Sequence, residues 1–82
     1  MQTLCLFASD YASSRDLHQA LKSLLSLPDY YGLNADALND CLSEFDRCPA
    51  LWFRLDGSEE VSDALKLVSR VFRDNGAEVT EL

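Results

Sequence analysis

The apolar residues of this chain fall into separate blocks, and the spacing differs from block to block. Thr3–Ala8 reads TLCLFA, a short continuous run whose length and Leu/Phe/Cys content predict a strand buried on both faces. Polar Ser9–Ser13 follows as a turn. Leu17, Ala20, Leu21 and Leu24 then fall at i, i+3, i+4 and i+7, one stripe of a helix. Ser14 is its expected N-cap, with Asp16 in the first turn where the helix dipole favours an anion. Pro28 is expected to close it, because residues before proline avoid the helical region.

A second helix is predicted after the Tyr31-Gly32 turn, with Asn34 as N-cap and Leu38, Cys41, Leu42 and Phe45 as its stripe. Pro49 is expected to stop it. Ala50–Leu55, ALWFRL, is a second buried-strand candidate, which places Trp52 in the core. Asp56-Gly57 turns the chain, and Ser58 is the expected N-cap of a third helix. Its stripe of Val61, Ala64, Leu65, Val68, Val71 and Phe72 is the longest. Arg70 and Arg73 lie near its C-terminus, where cations are favoured. Asn75-Gly76 reads as a helix stop, and Ala77–Leu82 as a weak final strand.

The order is therefore β-α-α-β-α-β. Strands separated by helices imply an α/β fold, a small three-stranded parallel sheet with helices packed on it and right-handed crossovers. Residues 1–82 are expected to form a single domain, one that hides only ~60–65% of its unfolded surface.

Charge narrows the range of partners. Fourteen acids against seven bases give a net charge of −7. Nucleic acid binding needs Lys and Arg to displace counterions, so direct contact with nucleic acid is not expected, nor with anionic membranes. A basic protein is the favoured partner, steered in by the long-range field. Three cysteines, Cys5, Cys41 and Cys48, make an odd set with no CxxC, which reads as reduced thiols and a cytoplasmic address. No signal peptide or membrane span is recognisable.

The acids are unevenly placed. No Lys or Arg occurs from Ser23 to Asp46, while Asp29, Asp36, Asp40, Glu44 and Asp46 all do. Asp36, Asn39 and Asp40 fall at i, i+3 and i+4, on the helix face opposite the apolar stripe. Like charges at this spacing cost a helix ~0.2–0.5 kcal/mol, so the face needs a reason beyond folding. Carboxylates beside an exposed tyrosine suit Arg and Lys, through charge-assisted hydrogen bonds and cation–π contact. Tyr30 is assigned to that surface, and Tyr31 is expected to pack beneath the turn. Gly32 is expected to supply a positive φ. Cys41 and Cys5 read as buried, inert thiols, Cys48 as exposed, and His18 as facing solvent or a helix neighbour. These thiols and His18 lack the spacing of a zinc site, no group pairs with His18 as a catalytic base, and no cofactor is expected.

The stretch DLHQALKSLLSLPDYYGLNADALNDCL, Asp16–Leu42, closely resembles the barstar family, intracellular inhibitors of secreted ribonucleases. The specific part is P-x-Y-Y-G-x-N-x-D-A-L-x-D-C-L, satisfied from Pro28 to Leu42. The resemblance implies a 1:1 complex in which the acidic helix plugs a ribonuclease active site, its carboxylates standing in for RNA phosphate. It makes Asp40 the leading anchor, surrounded by Asp36, Tyr30, Gly32, Asn34 and Asn39. Asp74, after Val71-Phe72-Arg73, matches the family's acid at the end of the last helix. The family usually has Trp where Asn39 stands and a polar residue where Leu33 stands, and its last helix ends later. These departures imply a target other than barnase, such as a nuclease toxin for which the chain is the immunity protein. The protein is expected to be monomeric when free and not an enzyme. The alternative is an acidic adaptor of barstar-like fold whose partner is no nuclease.

Overall fold

A computed structural model describes residues 3–82. Strand β1 (Thr3–Phe7) leads through a 3-10 turn, Ala8–Asp10, into helix α1 (Ser14–Leu24). Helix α2 (Ala35–Leu42), strand β2 (Ala50–Arg54), helix α3 (Glu59–Asp74) and strand β3 (Val79–Glu81) follow. The order is the expected β-α-α-β-α-β. β2 lies at the centre of a three-stranded sheet and pairs in parallel with β1 and with β3.

The register decides which residues meet the helices. Leu4, Leu51 and Val79 stand in one row, and Leu6 pairs with Phe53 in another row on the same face. Leu4, Leu6, Leu51 and Phe53 are buried, and Leu17, Leu21, Leu38, Leu42, Val61, Leu65, Val68 and Phe72 close over them. The row between them, Cys5, Trp52 and Thr80, faces the other way and is exposed. The expectation of strands buried on both faces is thus overturned, and with it the placing of Trp52 and Cys5 in the core. The cause is the strand order. Crossovers that all step in one direction across a sheet, with one hand, set every helix on the same face. Only a reversal of direction would cover the other.

The helix ends show how local chemistry sets the boundaries. Ser13, not Ser14, caps α1, accepting from the Asp16 amide at 3.2 Å. The Ser14 amide instead donates to the Glu60 carboxylate at 2.9 Å, which ties α1 to α3. Asn34 caps α2 and Ser58 caps α3, both as expected. α1 closes before Pro28 comes into play: Ser26 takes a φ of 53°, and the Leu27 amide reaches back to the Lys22 carbonyl. The same closure ends α3, where Gly76 adopts the left-handed conformation at no steric cost and Ala77 bonds back to Phe72. α2 ends at Leu42, well before Pro49, so Phe45 packs against the core from the loop beyond it. β3 is shorter than the predicted run.

One contact fixes the far ends of two strands. The Asp56 carboxylate accepts from the Ser9 amide at 3.0 Å and from the Ser9 hydroxyl at 3.2 Å. Gly57 follows it so closely against the backbone that a Cβ there would lie 2.5 Å from Ala8.

Candidate protein-binding face

The site is built from the turn after α1 and the outer face of α2. The turn begins at Pro28, whose carbonyl accepts from the Tyr31 amide at 3.0 Å. It sends the two tyrosines in opposite directions. Tyr30 is 82% exposed and Tyr31 only 5%. Positive φ falls on Leu33, at 57°, and not on Gly32 as expected. At Gly32 the space is tight instead, since a Cβ there would stand 3.3 Å from the Ala37 Cβ.

Asn34 turns the chain into α2 and uses both ends of its amide to do so. Its Oδ1 accepts from the Ala37 amide at 2.8 Å, and its Nδ2 donates to the Gly32 carbonyl at 3.2 Å. Its first role is therefore to shape the site. Beyond it, Asp36, Asn39 and Asp40 are all exposed, while Leu38 and Leu42 on the other side of α2 are buried. Neither Asp36 nor Asp40 forms an ion pair among the described residues; the nearest paired acid in sequence is Asp29, which meets Lys22 at 3.6 Å.

Asn39 is engaged within the chain. Its Oδ1 accepts from Asn75 Nδ2 at 2.9 Å, and the same nitrogen donates to the Val71 carbonyl at 2.8 Å. This clasp joins α2 to the end of α3. Asp74, next to Asn75 in the chain, is exposed at the end of α3. An open cleft lined by Asp46, Arg47, Cys48, Asn75, Gly76 and Glu78 adjoins the clasp. Sequence reasoning missed both features, because no periodicity links positions 39 and 75.

His18 corrects a further expectation. It is buried on α1, and its Nδ1 lies 2.6 Å from the Tyr31 hydroxyl. Burial pushes the imidazole pKa down, so the ring is held neutral. Burial pushes the Tyr31 phenol far above its ordinary range, with a smaller push from Cys41. The two neutral groups share one hydrogen bond, its donor set by the imidazole tautomer. Cys41 is half-buried; burial first, then Glu44 and Asp40, raise its thiol pKa and keep it protonated and unreactive. Burial raises the half-buried Cys48 as well, and Cys5 is the exposed thiol. Among the described residues no cluster of three His, Cys, Asp or Glu is placed to hold a metal ion. No described helix is long and apolar enough to cross a membrane.

The arrangement presents two carboxylates on the exposed face of α2 and one exposed tyrosine ring on the turn before it. The model of a family described as barstar (barnase inhibitor) matches residues 1–80. The chain belongs to the barstar family. The family match runs through β1, β2 and all three helices and reaches into β3. A second comparison is narrower. A protein of Bacillus subtilis (strain 168) named "Putative ribonuclease inhibitor YrdF" is 44% identical over 43 residues, or 52% of this chain and 47% of that protein. The chain matches about half the length of that relative.

Proposed function

We propose that this protein inhibits a ribonuclease by seating α2 in the enzyme's basic active site, in a 1:1 complex that shuts out RNA. The observation that carries the reading is the pair Asp36 and Asp40, exposed, unpaired and on one helix face beside the exposed Tyr30. Family membership supports it, and so does the printed name of the Bacillus relative. Asp40 is the central anchor, for an Arg, Lys or His that otherwise holds RNA phosphate. Asp36 and Tyr30 flank it, and Asp74 joins from the end of α3. Gly32 and Asn34 hold the turn close. Asn39, tied to Asn75, replaces a large aromatic contact with a small one, so the target's surface opposite α2 differs from that of barnase. The target is a nuclease toxin for which this cytoplasmic protein gives immunity, and the free inhibitor is a monomer.

The test is capture of partners from the source organism at low salt, each capture then being assayed for RNA cleavage. Purified barnase is titrated in parallel. A basic nuclease held by the native protein and released by Asp36→Ala/Asp40→Ala is the expected result. Asp40→Ala alone should weaken binding by ~3–5 kcal/mol, because it leaves a cation of the enzyme buried and unpaired. Circular dichroism should show the variant folded. Raised salt should slow association, as the exposed acids are screened. A reproducible partner without nuclease activity would move the function to an acidic adaptor.

A further inference from the structure

Of the side chains on α2, Asn39 is the one with N–H donors; Asp36 and Asp40, beside it on the exposed face, can only accept while ionised. A primary amide can be turned either way, and the end that Asn39 shows outward decides what it recognises. Its contact with α3 fixes the choice. The Val71 carbonyl lies 2.8 Å from the Asn75 side chain and can only accept, so the Asn75 atom facing it is Nδ2. The second hydrogen of that nitrogen points to Asn39 at 2.9 Å, so the Asn39 atom facing it is Oδ1. Asn39 Nδ2 is thereby turned away from Asn75, and among the described residues no acceptor takes it. The backbone sets this polarity. Asn75 is itself held where α3 closes, its own amide bonding to the Val71 and Phe72 carbonyls, and its side chain is half-buried.

We propose that Asn39 is a specificity-determining residue, turned by Asn75 so that one N–H donor stands beside the carboxylates of Asp36 and Asp40, and that its counterpart is an acceptor oxygen of the nuclease set among the cations that take those carboxylates. This rests on the reading of α2 as the partner-binding face. Asn75 is a positioning residue, acting through Asn39. In the free protein water satisfies Asn39 Nδ2, and docking removes that water. A surface offering cations alone would then set its own N–H groups against those of Asn39, donor against donor, and leave both unpaired. An acceptor oxygen at that point completes the hydrogen bonding. The order along the helix is acceptor, donor, acceptor, and a uniformly basic surface does not match it. Discrimination therefore comes from the mismatch as much as from the attraction of the acids.

The experiment compares the native protein with Asn39→Asp, Asn75→Asp, Asn39→Ala and Asn39→Ala/Asn75→Asp. The probes are purified barnase and the nuclease that the native protein captures at low salt, affinity being read on each that binds, with Asp40→Ala as control. In the free native protein, side-chain proton exchange followed by ¹⁵N NMR should be about tenfold slower for Asn75 than for Asn39. An Asn39 amide as slow as that of Asn75 overturns the orientation. Asn39→Asp keeps the oxygen that Asn75 holds, removes the donor and adds a negative charge. Charge attraction alone would make it bind a basic enzyme more tightly, whereas loss of the donor opposite an acceptor should weaken binding about tenfold. Asn75→Asp also adds a charge, but it accepts from Asn39 Nδ2 and turns Oδ1 outward, so a similar loss is expected. In the Asn39→Ala background that loss should vanish. Urea unfolding checks that every variant is folded. Unchanged or tighter binding by Asn39→Asp overturns the donor role, and a loss from Asn75→Asp that persists without the Asn39 amide overturns the positioning role. If neither probe is held, or Asp40→Ala releases neither, the reading of α2 as the binding face fails and this inference falls with it. Release by Asp40→Ala beside an indifferent Asn39→Asp sinks the inference alone.

Discussion

At the scale of single residues, burial of an ionisable ring has a consequence for stability. His18 is neutral in the fold because burial lowers its pKa below the ordinary value near 6.5. Above that value both folded and unfolded chains carry a neutral ring, and pH has no grip through this residue. As pH falls through it, the unfolded chain takes up a proton that the folded chain refuses, and stability drops until the folded pKa is passed. Urea unfolding of the native protein between pH 8 and pH 5 should therefore show a loss that His18→Gln abolishes. A native curve identical to that of the variant would refute the assignment. This residue was illegible in the sequence for a definite reason. Leu17 and Leu21 mark the centre of the α1 stripe, and position 18 falls just off it, on the side where solvent is the default. The tyrosine arriving from the following turn and the neighbouring α3 residues enclose it. Tyr30 and Tyr31, by contrast, were separable beforehand, because adjacent residues on a turn cannot both face inward.

At the scale of the element, α2 sets stability against function. Asp36 and Asp40 repel each other at i, i+4, and only Asp36 lies near enough to the N-terminus to gain from the dipole. Asp40→Asn keeps the shape and removes the repulsion. It should raise unfolding stability by ~0.2–0.5 kcal/mol while weakening the bound ribonuclease by well over tenfold. Chemical denaturation and a binding titration on the same preparation check both halves. A variant that loses stability along with affinity would mean that Asp40 is structural. The helices were largely legible, since their 3.6-residue stripes and their caps at Asn34 and Ser58 are local signals. Boundaries failed where a long-range contact intervened. Glu60 claims the Ser14 amide and leaves Ser13 to cap α1. The clasp of Asn39 with Asn75 was likewise beyond reach, because 36 positions separate them. The acids on α2 were readable from spacing alone.

At the scale of the whole molecule, the parallel sheet and its connectivity followed from the alternation of helices and strands, but its open face did not. TLCLFA and ALWFRL are apolar on alternate and intervening positions alike, so nothing in them says that one side is bare. Strand order decides it, and strand order is a property of the assembled sheet. The outcome is a molecule with two unlike sides. α1, α2 and α3 pack together over one face of the sheet, and the other shows Cys5, Trp52 and Thr80, with Arg54 lying 5.7 Å over the Phe7 ring. Trp52 is the only tryptophan and is 49% exposed, so it reports on that side alone. In the free protein its fluorescence should be quenched readily by acrylamide. A ribonuclease seated on α2 lies across the molecule from the indole and should leave the quenching constant unchanged, since pre-organised partners move little on docking. Cys5, paired in register with Trp52, should keep its reactivity toward a thiol reagent in the same complex. Shielding of both on binding would place the partner on the sheet, and the acidic helix would then be a solvated surface without a role in recognition.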